Sequence, residues 1–195
     1  SRHTVSLVVF QAQEGNLFFP LAGLYQAEAE RQMVDACGFC HYLLFLYTFD
    51  FTRWIPQETM DYLENSGSVS VNAFAGIGAA AILPALIENF IANGVAEEIL
   101  YRGFLCKLFC HKLGTVKGIL LQAALFGLMH NALYLLAGLQ VGLWYHTLMF
   151  LFTGMAALLL GWLNEKIYNG SILPSILLHG AGNFISSMLT AFSFL

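Results

Sequence analysis

Long apolar runs, separated by short polar stretches, follow one another along most of this chain. From residue 71 onward the runs approach or exceed the roughly 20 residues that a helix needs to cross a bilayer. They lack the two-residue alternation of barrel strands, so the pattern predicts helices. We expect the first helix to be kinked near Pro84. The predicted helices cover residues 71–94, about 94–112, 118–137, 141–163 and 171–193.

The N-terminal third of the chain is more polar and gives a weaker membrane signal. Residues 5–25 are interrupted by polar side chains, which leaves open whether they span a membrane. Residues 26–36 are polar and are expected at an interface, and residues 37–51 predict a short apolar helix. Residues 52–68 combine aromatic and charged side chains, which is typical of an amphipathic stretch at a membrane surface followed by a loop.

The composition indicates an integral membrane protein in contact with lipid. Hydrophobic residues make up 58% of the 195 residues and charged residues only 10%, whereas soluble domains carry about 25% charged residues. We expect one all-α domain, residues 1–195, forming a polytopic transmembrane bundle of about six to eight helices. The net charge of −4 and the lack of a basic patch argue against nucleic acid as a partner.

The distribution of lysines suggests an orientation. The densest basic stretch lies within residues 107–117, and the positive-inside rule places it on the cytoplasmic side. The loop at 138–140 would then face outward, and Glu165 and Lys166 would return to the inside.

The four cysteines, Cys37, Cys40, Cys106 and Cys110, are expected to be structural. The stretch CGFCH at residues 37–41 matches the c-type haem attachment pattern, but the match is single and no second axial ligand is evident. Thiols within a helix are the favoured interpretation, and no cofactor is predicted. Cys106 and Cys110, four apart on one helix, are poorly placed for a disulfide.

Charged residues interrupt the apolar sequence at Glu97, Glu98 and Arg102. An ionisable group at membrane depth costs about 2.5 to 3.5 kcal/mol on insertion scales, so it needs a partner or a function. Arg102 follows Glu98 by four residues, which places both on one helix face and allows them to pair. Glu97 instead shares its face with Tyr101. We therefore predict that Glu98 is structural and that Glu97 is a candidate general base.

Two histidines and an asparagine lie inside later apolar helices. His130 follows Phe126 by four residues, and Asn183 follows His179 by the same spacing. A buried histidine is more often a satisfied core residue than a catalyst. Convergence of these groups with the glutamates in one polar intramembrane cavity would nevertheless offset the cost of burying each of them.

Three motifs, in this order, resemble those of the CPBP family. They are EExxxR at residues 97–102, FxxxH at 126–130 and HxxxN at 179–183. The family comprises CAAX-protease and bacteriocin-processing intramembrane proteins, also called Abi proteins. The resemblance covers roughly residues 70–190, the CPBP-like catalytic core, and leaves 1–69 as N-terminal membrane and interfacial segments. Together the motifs arise by chance in about one such chain in a thousand, and the first carries most of the weight.

The resemblance implies a metal-independent, glutamate-dependent endopeptidase whose site lies inside the membrane. On this chain Glu97 and His130 would activate a water molecule, and His179 with Asn183 would stabilise the oxyanion that forms. No metal and no cofactor are implied. The supporting residues would be Glu98, Arg102 and Phe126.

Other interpretations remain open from the sequence. Two histidines and a carboxylate could also bind zinc in a membrane protease. A non-catalytic scaffold or bacteriocin-immunity protein, or a proton-relaying transporter, would also place polar residues in the membrane. For a protease, the substrate would be a membrane-associated protein or peptide, lipidated or not: a CAAX-like C-terminal segment, a sorting segment or a bacteriocin leader. We expect a prokaryotic cell (inner) membrane, with the endoplasmic reticulum membrane as the alternative.

Overall fold

A computed structural model describes residues 51–66 and 70–192, together with Cys40. The residues from 51 onward belong to one compact unit, Tyr42–Leu195. The predictions for residues 5–25 and 26–36 lie outside the described residues.

Most of the short helix predicted over residues 37–51 also lies outside the described residues. So does the CGFCH stretch, apart from Cys40, which is helical and exposed. The prediction of thiols within a helix therefore stays a prediction for that stretch.

Helices account for all the regular structure in the described residues, which contain no strand. Short 3₁₀ turns at Phe51–Trp54 and Ser70–Phe74 precede the first two helices. The all-α class is confirmed, whereas six to eight helices stays a prediction for the whole chain. The five described helices are α1 (Gln57–Glu64), α2 (Gly78–Leu113), α3 (Thr115–Leu136), α4 (Leu143–Ile167) and α5 (Leu173–Ala191).

Helix α2 is continuous where the sequence predicted two helices, so the prediction of separate helices over 71–94 and 94–112 is wrong. The helix absorbs its irregularities in two π-helical segments, Ile87–Val95 and Ile99–Cys106. The helix continues through Gly94, where α5 comes close: a Cβ there would lie 3.4 Å from the Cα of Gly180. Small residues are favoured where two helices in a membrane pack this closely.

The later helices lie within a few residues of the predicted bounds. Helix α4 extends beyond residue 163 through a π-helical segment, Leu163–Ile167. The segment ends near Gly170, where the chain turns with a positive φ of 82°. Lys107 of α2 stabilises this turn: its Nζ lies 2.7 Å from Glu165 Oε1 and donates a hydrogen bond to the Gly170 carbonyl.

Three of the described helices, α2, α3 and α4, are long and apolar enough to cross a membrane. Helix α5 has the length but carries more polar residues. Large apolar side chains are exposed on the outside of the bundle, for example Leu83, Ile91, Leu128 and Leu151. Five of the seven largest fully buried side chains among the described residues are instead polar: Arg102, Gln122, Glu98, Asn164 and Ser175. This distribution suits a protein whose exterior faces lipid and whose polar groups face inward.

Candidate functional site

The two neighbouring glutamates of α2 lie in different surroundings. Glu98 is fully buried, and its Oε1 lies 2.8 Å from Arg102 Nη1, which is the pair that the sequence spacing predicted. Glu97 keeps 26% of its side chain exposed and lines a cavity. Successive residues on a helix are rotated by about 100°, so one carboxylate points into the protein and the other into the cavity.

Phe126 of α3 forms an aromatic support behind the cavity. Its ring packs edge-on against Tyr101, with centroids 4.9 Å apart, and lies under the guanidinium of Arg102 at 4.3 Å. The rings of His130 and His179 also contact it, at centroid distances of 4.5 and 6.1 Å. Phe126 therefore positions both histidines and supplies a cation–π contact to the buried arginine.

His179 of α5 lies between the two glutamates. Its Nδ1 is 2.9 Å from Glu98 Oε1, and its Nε2 is 3.9 Å from Glu97 Oε2. A carboxylate only accepts hydrogen bonds, so Nδ1 carries the proton of this hydrogen bond and is the donor to Glu98. Nε2 carries a second proton only when the ring is cationic. Residues 98 and 179 are 81 positions apart, so no local spacing in the sequence predicts this contact.

His130 of α3 is held by its own helix. Its Nδ1 lies 2.9 Å from the carbonyl oxygen of Phe126, and a carbonyl can only accept, so Nδ1 donates. In the neutral ring this leaves the lone pair on Nε2, the other ring nitrogen. A histidine in this tautomer can accept a proton at Nε2.

A cavity of about 500 Å³ connects these groups. One wall is apolar and comes from α3 and the loop after it, with Leu133, Tyr134, Ala137 and Leu139. The other residues are polar and lie on α2, α3 and α5: Glu88, Asn89, Asn93, Glu97, His130, His179, Asn183, Ser186 and Ser187. All four residues predicted to be catalytic therefore line one cavity, whereas Glu98, Arg102 and Phe126 are buried behind it.

A second set of buried polar groups lies near Glu98 on α4 and α5, and it was not predicted from the sequence. The side-chain amide of Asn164 donates to Ser175 Oγ at 2.7 Å, and the Ser175 hydroxyl donates to the Ile172 carbonyl at 2.9 Å while lying near the Glu98 carboxylate. Asn164 and Ser175 are both fully buried. A lone amide and a lone hydroxyl within apolar stretches were the only sequence signals that could have identified them.

A zinc site of the kind considered from the sequence needs at least three protein ligands around one ion. In the part of the chain that the structure describes, no three His, Cys, Asp or Glu side chains are arranged to hold one ion. His179 is directed toward two carboxylates instead.

A comparison with known protein families gives a match over these helices. A family model described as type II CAAX prenyl endopeptidase Rce1-like matches residues 79–185, more than half of the chain. The matched range runs from the start of α2 into α5 and contains every residue named above as a predicted site residue. Searches of curated proteins and of solved structures found no match.

Proposed function

The chain belongs to the Rce1-like family of type II CAAX prenyl endopeptidases, and we propose that it hydrolyses a peptide bond inside the membrane with a glutamate as general base. The family membership fits a membrane protease that acts on a protein or peptide, and the apolar helices fit an integral membrane protein. One observation carries the proposal: Glu97, His130, His179 and Asn183, from three helices, line the same cavity.

In the first step Glu97 and His130 orient and activate a water molecule. Glu97 Oε2 is buried and has no hydrogen-bond partner among the described residues, and His130 keeps a lone pair on Nε2. Two acceptors can hold both protons of one water and leave its oxygen lone pair directed at a carbonyl carbon. As the oxygen attacks, Glu97 takes one proton, which it later delivers to the leaving amine.

In the same step His179 and Asn183 stabilise the oxyanion. The Asn183 amide donates an N–H, and cationic His179 donates a second from Nε2 while Nδ1 stays bound to Glu98. Donors aimed at developing charge in a site of low dielectric contribute about 10²- to 10³-fold each to the rate. The Glu98–Arg102 pair neutralises itself, so it holds His179 in place without adding net charge beside the reacting carbonyl.

The decisive variant is Glu97→Gln, which keeps the shape of the side chain and removes the base. Its control is Glu58→Gln on α1, where the carboxylate is exposed and remote from the cavity in sequence. New protein termini would be compared by proteomics in membranes expressing wild type or either variant. We expect Glu97→Gln to lose at least 10²-fold of the cleavage products with unchanged expression and insertion. Normal product levels in that variant would refute the proposal.

Two alternative functions predict different results in the same membrane assay. A zinc-dependent protease would lose activity in excess chelator and regain it with zinc, whereas we propose that chelator has no effect. A non-catalytic scaffold or immunity protein would keep its cellular effect when Glu97 is replaced by glutamine.

We further propose that the substrate is a membrane-associated protein or peptide with a CAAX-like or sorting segment at its C-terminus, or a bacteriocin leader. A lipidated segment would suit a site reached from the bilayer. The proposed location is a prokaryotic cell membrane, with the endoplasmic reticulum membrane as the alternative.

A further inference from the structure

Glu88 is a second carboxylate in the cavity, and the proposed reaction does not use it. It lies on α2, nine residues before Glu97, is partly buried and lines the same cavity. None of the hydrogen bonds or ion pairs among the described residues involves its side chain. A carboxylate within a membrane-spanning helix is costly unless a partner or a ligand offsets the cost.

The neighbours of Glu88 are polar, but they are engaged elsewhere or carry no positive charge. Asn89 donates to the Ala85 carbonyl and to Ser187 Oγ, at 2.8 and 3.0 Å, so its amide joins α2 to α5. Ser186 and Asn93 line the same cavity. These groups can solvate a ligand, but among the described residues none of them neutralises Glu88.

The geometry points to a subsite in which Glu88 binds a cationic side chain of the substrate, lysine or arginine, about four residues from the scissile bond. Nine residues of helix rise roughly 13 Å, and an extended peptide covers that distance in about four residues at 3.3 Å each. A substrate cation would pair with Glu88 and donate further hydrogen bonds to the amide and hydroxyl oxygens around it. The free carboxylate of a chain end would be repelled there. This inference rests on the proposed function, because it deepens the substrate preference of that site.

The test uses the full chain in detergent micelles and a library of peptides prepared from a digested proteome, with cleavage sites read by mass spectrometry. Four proteins are compared: wild type, Glu88→Gln, Glu88→Asp and the control Glu58→Gln. We expect wild type, Glu88→Asp and Glu58→Gln to enrich lysine and arginine three to five residues from the cleaved bond. Glu88→Gln should lose that enrichment.

A pair of synthetic peptides then measures the preference directly. The best library peptide is made with lysine or with glutamine at the enriched position, and the ratio of kcat/KM for the two peptides is the readout. The ratio should be on the order of tenfold in wild type, as for a close charge pair, and near one in Glu88→Gln. Because the readout is a ratio, lower yield or partial misfolding of the variant does not alter it.

The outcomes separate the two proposals. Cleavage by wild type without cationic enrichment, or the same enrichment in Glu88→Gln, would overturn the subsite and leave the protease intact. No cleavage of any library peptide or membrane protein by wild type would overturn the proposed function and the subsite with it.

Discussion

Breaking the buried pair of Glu98 and Arg102 should destabilise the protein far more than breaking a half-exposed pair on the same helix. In Arg102→Met a similar volume remains, but the carboxylate of Glu98 stays fully buried and loses its arginine, keeping the hydrogen bond from His179 at 2.9 Å. Removing one member of a buried ion pair costs about 3 to 5 kcal/mol. For a chain of this size, each kcal/mol lowers the unfolding temperature by about 2 to 4 °C, so the expected drop is about 6 to 20 °C.

The matched control is Lys107→Met, which breaks the ion pair to Glu165 at 2.7 Å together with the hydrogen bond to the Gly170 carbonyl. The Lys107 side chain is 40% exposed, and exposed pairs contribute about 0.2 to 1 kcal/mol. The assay is thermal unfolding of the purified protein in detergent, followed by tryptophan fluorescence at two scan rates. The single variant Glu98→Gln and the double variant Glu98→Gln/Arg102→Met complete a double-mutant cycle. The cycle isolates the interaction energy between Glu98 and Arg102.

The double variant should recover much of the stability lost by either single variant, because no unpaired buried charge remains. It should not recover activity, since His179 no longer has its ionic partner. The reasoning fails if Arg102→Met unfolds within about 2 °C of Lys107→Met, or if the two single losses simply add in the double variant.

Two further substitutions test how the helices are held around the site. Gly180→Ala should cost about 1 to 3 kcal/mol of stability by overpacking, because a Cβ there would lie 2.6 Å from the ring of Phe90. The control Gly142→Ala should cost less than 1 kcal/mol, because a Cβ at Gly142 meets nothing within 4 Å. Equal unfolding temperatures for these two variants would contradict the close approach of α2 and α5. Ser175→Ala should also cost about 1 to 3 kcal/mol, because it removes the acceptor of the buried Asn164 amide; an unchanged unfolding temperature would mean that the amide has another partner.

The contacts that could be predicted from the sequence are those within one helix. The pairing of Glu98 with Arg102 follows from a spacing of four residues, which helix geometry converts directly into a contact. The position of Glu97 on another face follows from the same geometry. The bounds of α3, α4 and α5 were close to the predictions because each helix is a single apolar run flanked by glycine or polar residues.

The features that were predicted wrongly or not at all from the sequence involve contacts between helices. A break at Asn93 and Gly94 was reasonable from propensity alone, because both residues weaken an isolated helix. The helix nevertheless continues through Gly94, where α5 comes close: a Cβ at Gly94 would lie 2.9 Å from the Asn89 carbonyl oxygen and 3.4 Å from the Cα of Gly180, 86 positions later. The contacts of Ser175 with Asn164 and Glu98 depend in the same way on how three helices pack, and no local pattern encodes that packing.

The difference between the two glutamates therefore has a local cause and a distant one. Helix geometry turns Glu98 inward and Glu97 toward the cavity, but it does not decide which carboxylate can react. His179 adds the second part, because its Nδ1 donates to Glu98 and occupies an oxygen that Arg102 already pairs with, while Nε2 remains 3.9 Å from Glu97. Glu98 is thus committed through Oε1 to a cation and a histidine, and its whole side chain is buried away from the cavity. Glu97 lines the cavity, where water or substrate can approach its carboxylate. If His179 and Arg102 paired with Glu97 instead, the free carboxylate would be that of Glu98, which is buried behind the cavity. The pairing of His179 and Arg102 with Glu98 therefore makes Glu97 the proposed base.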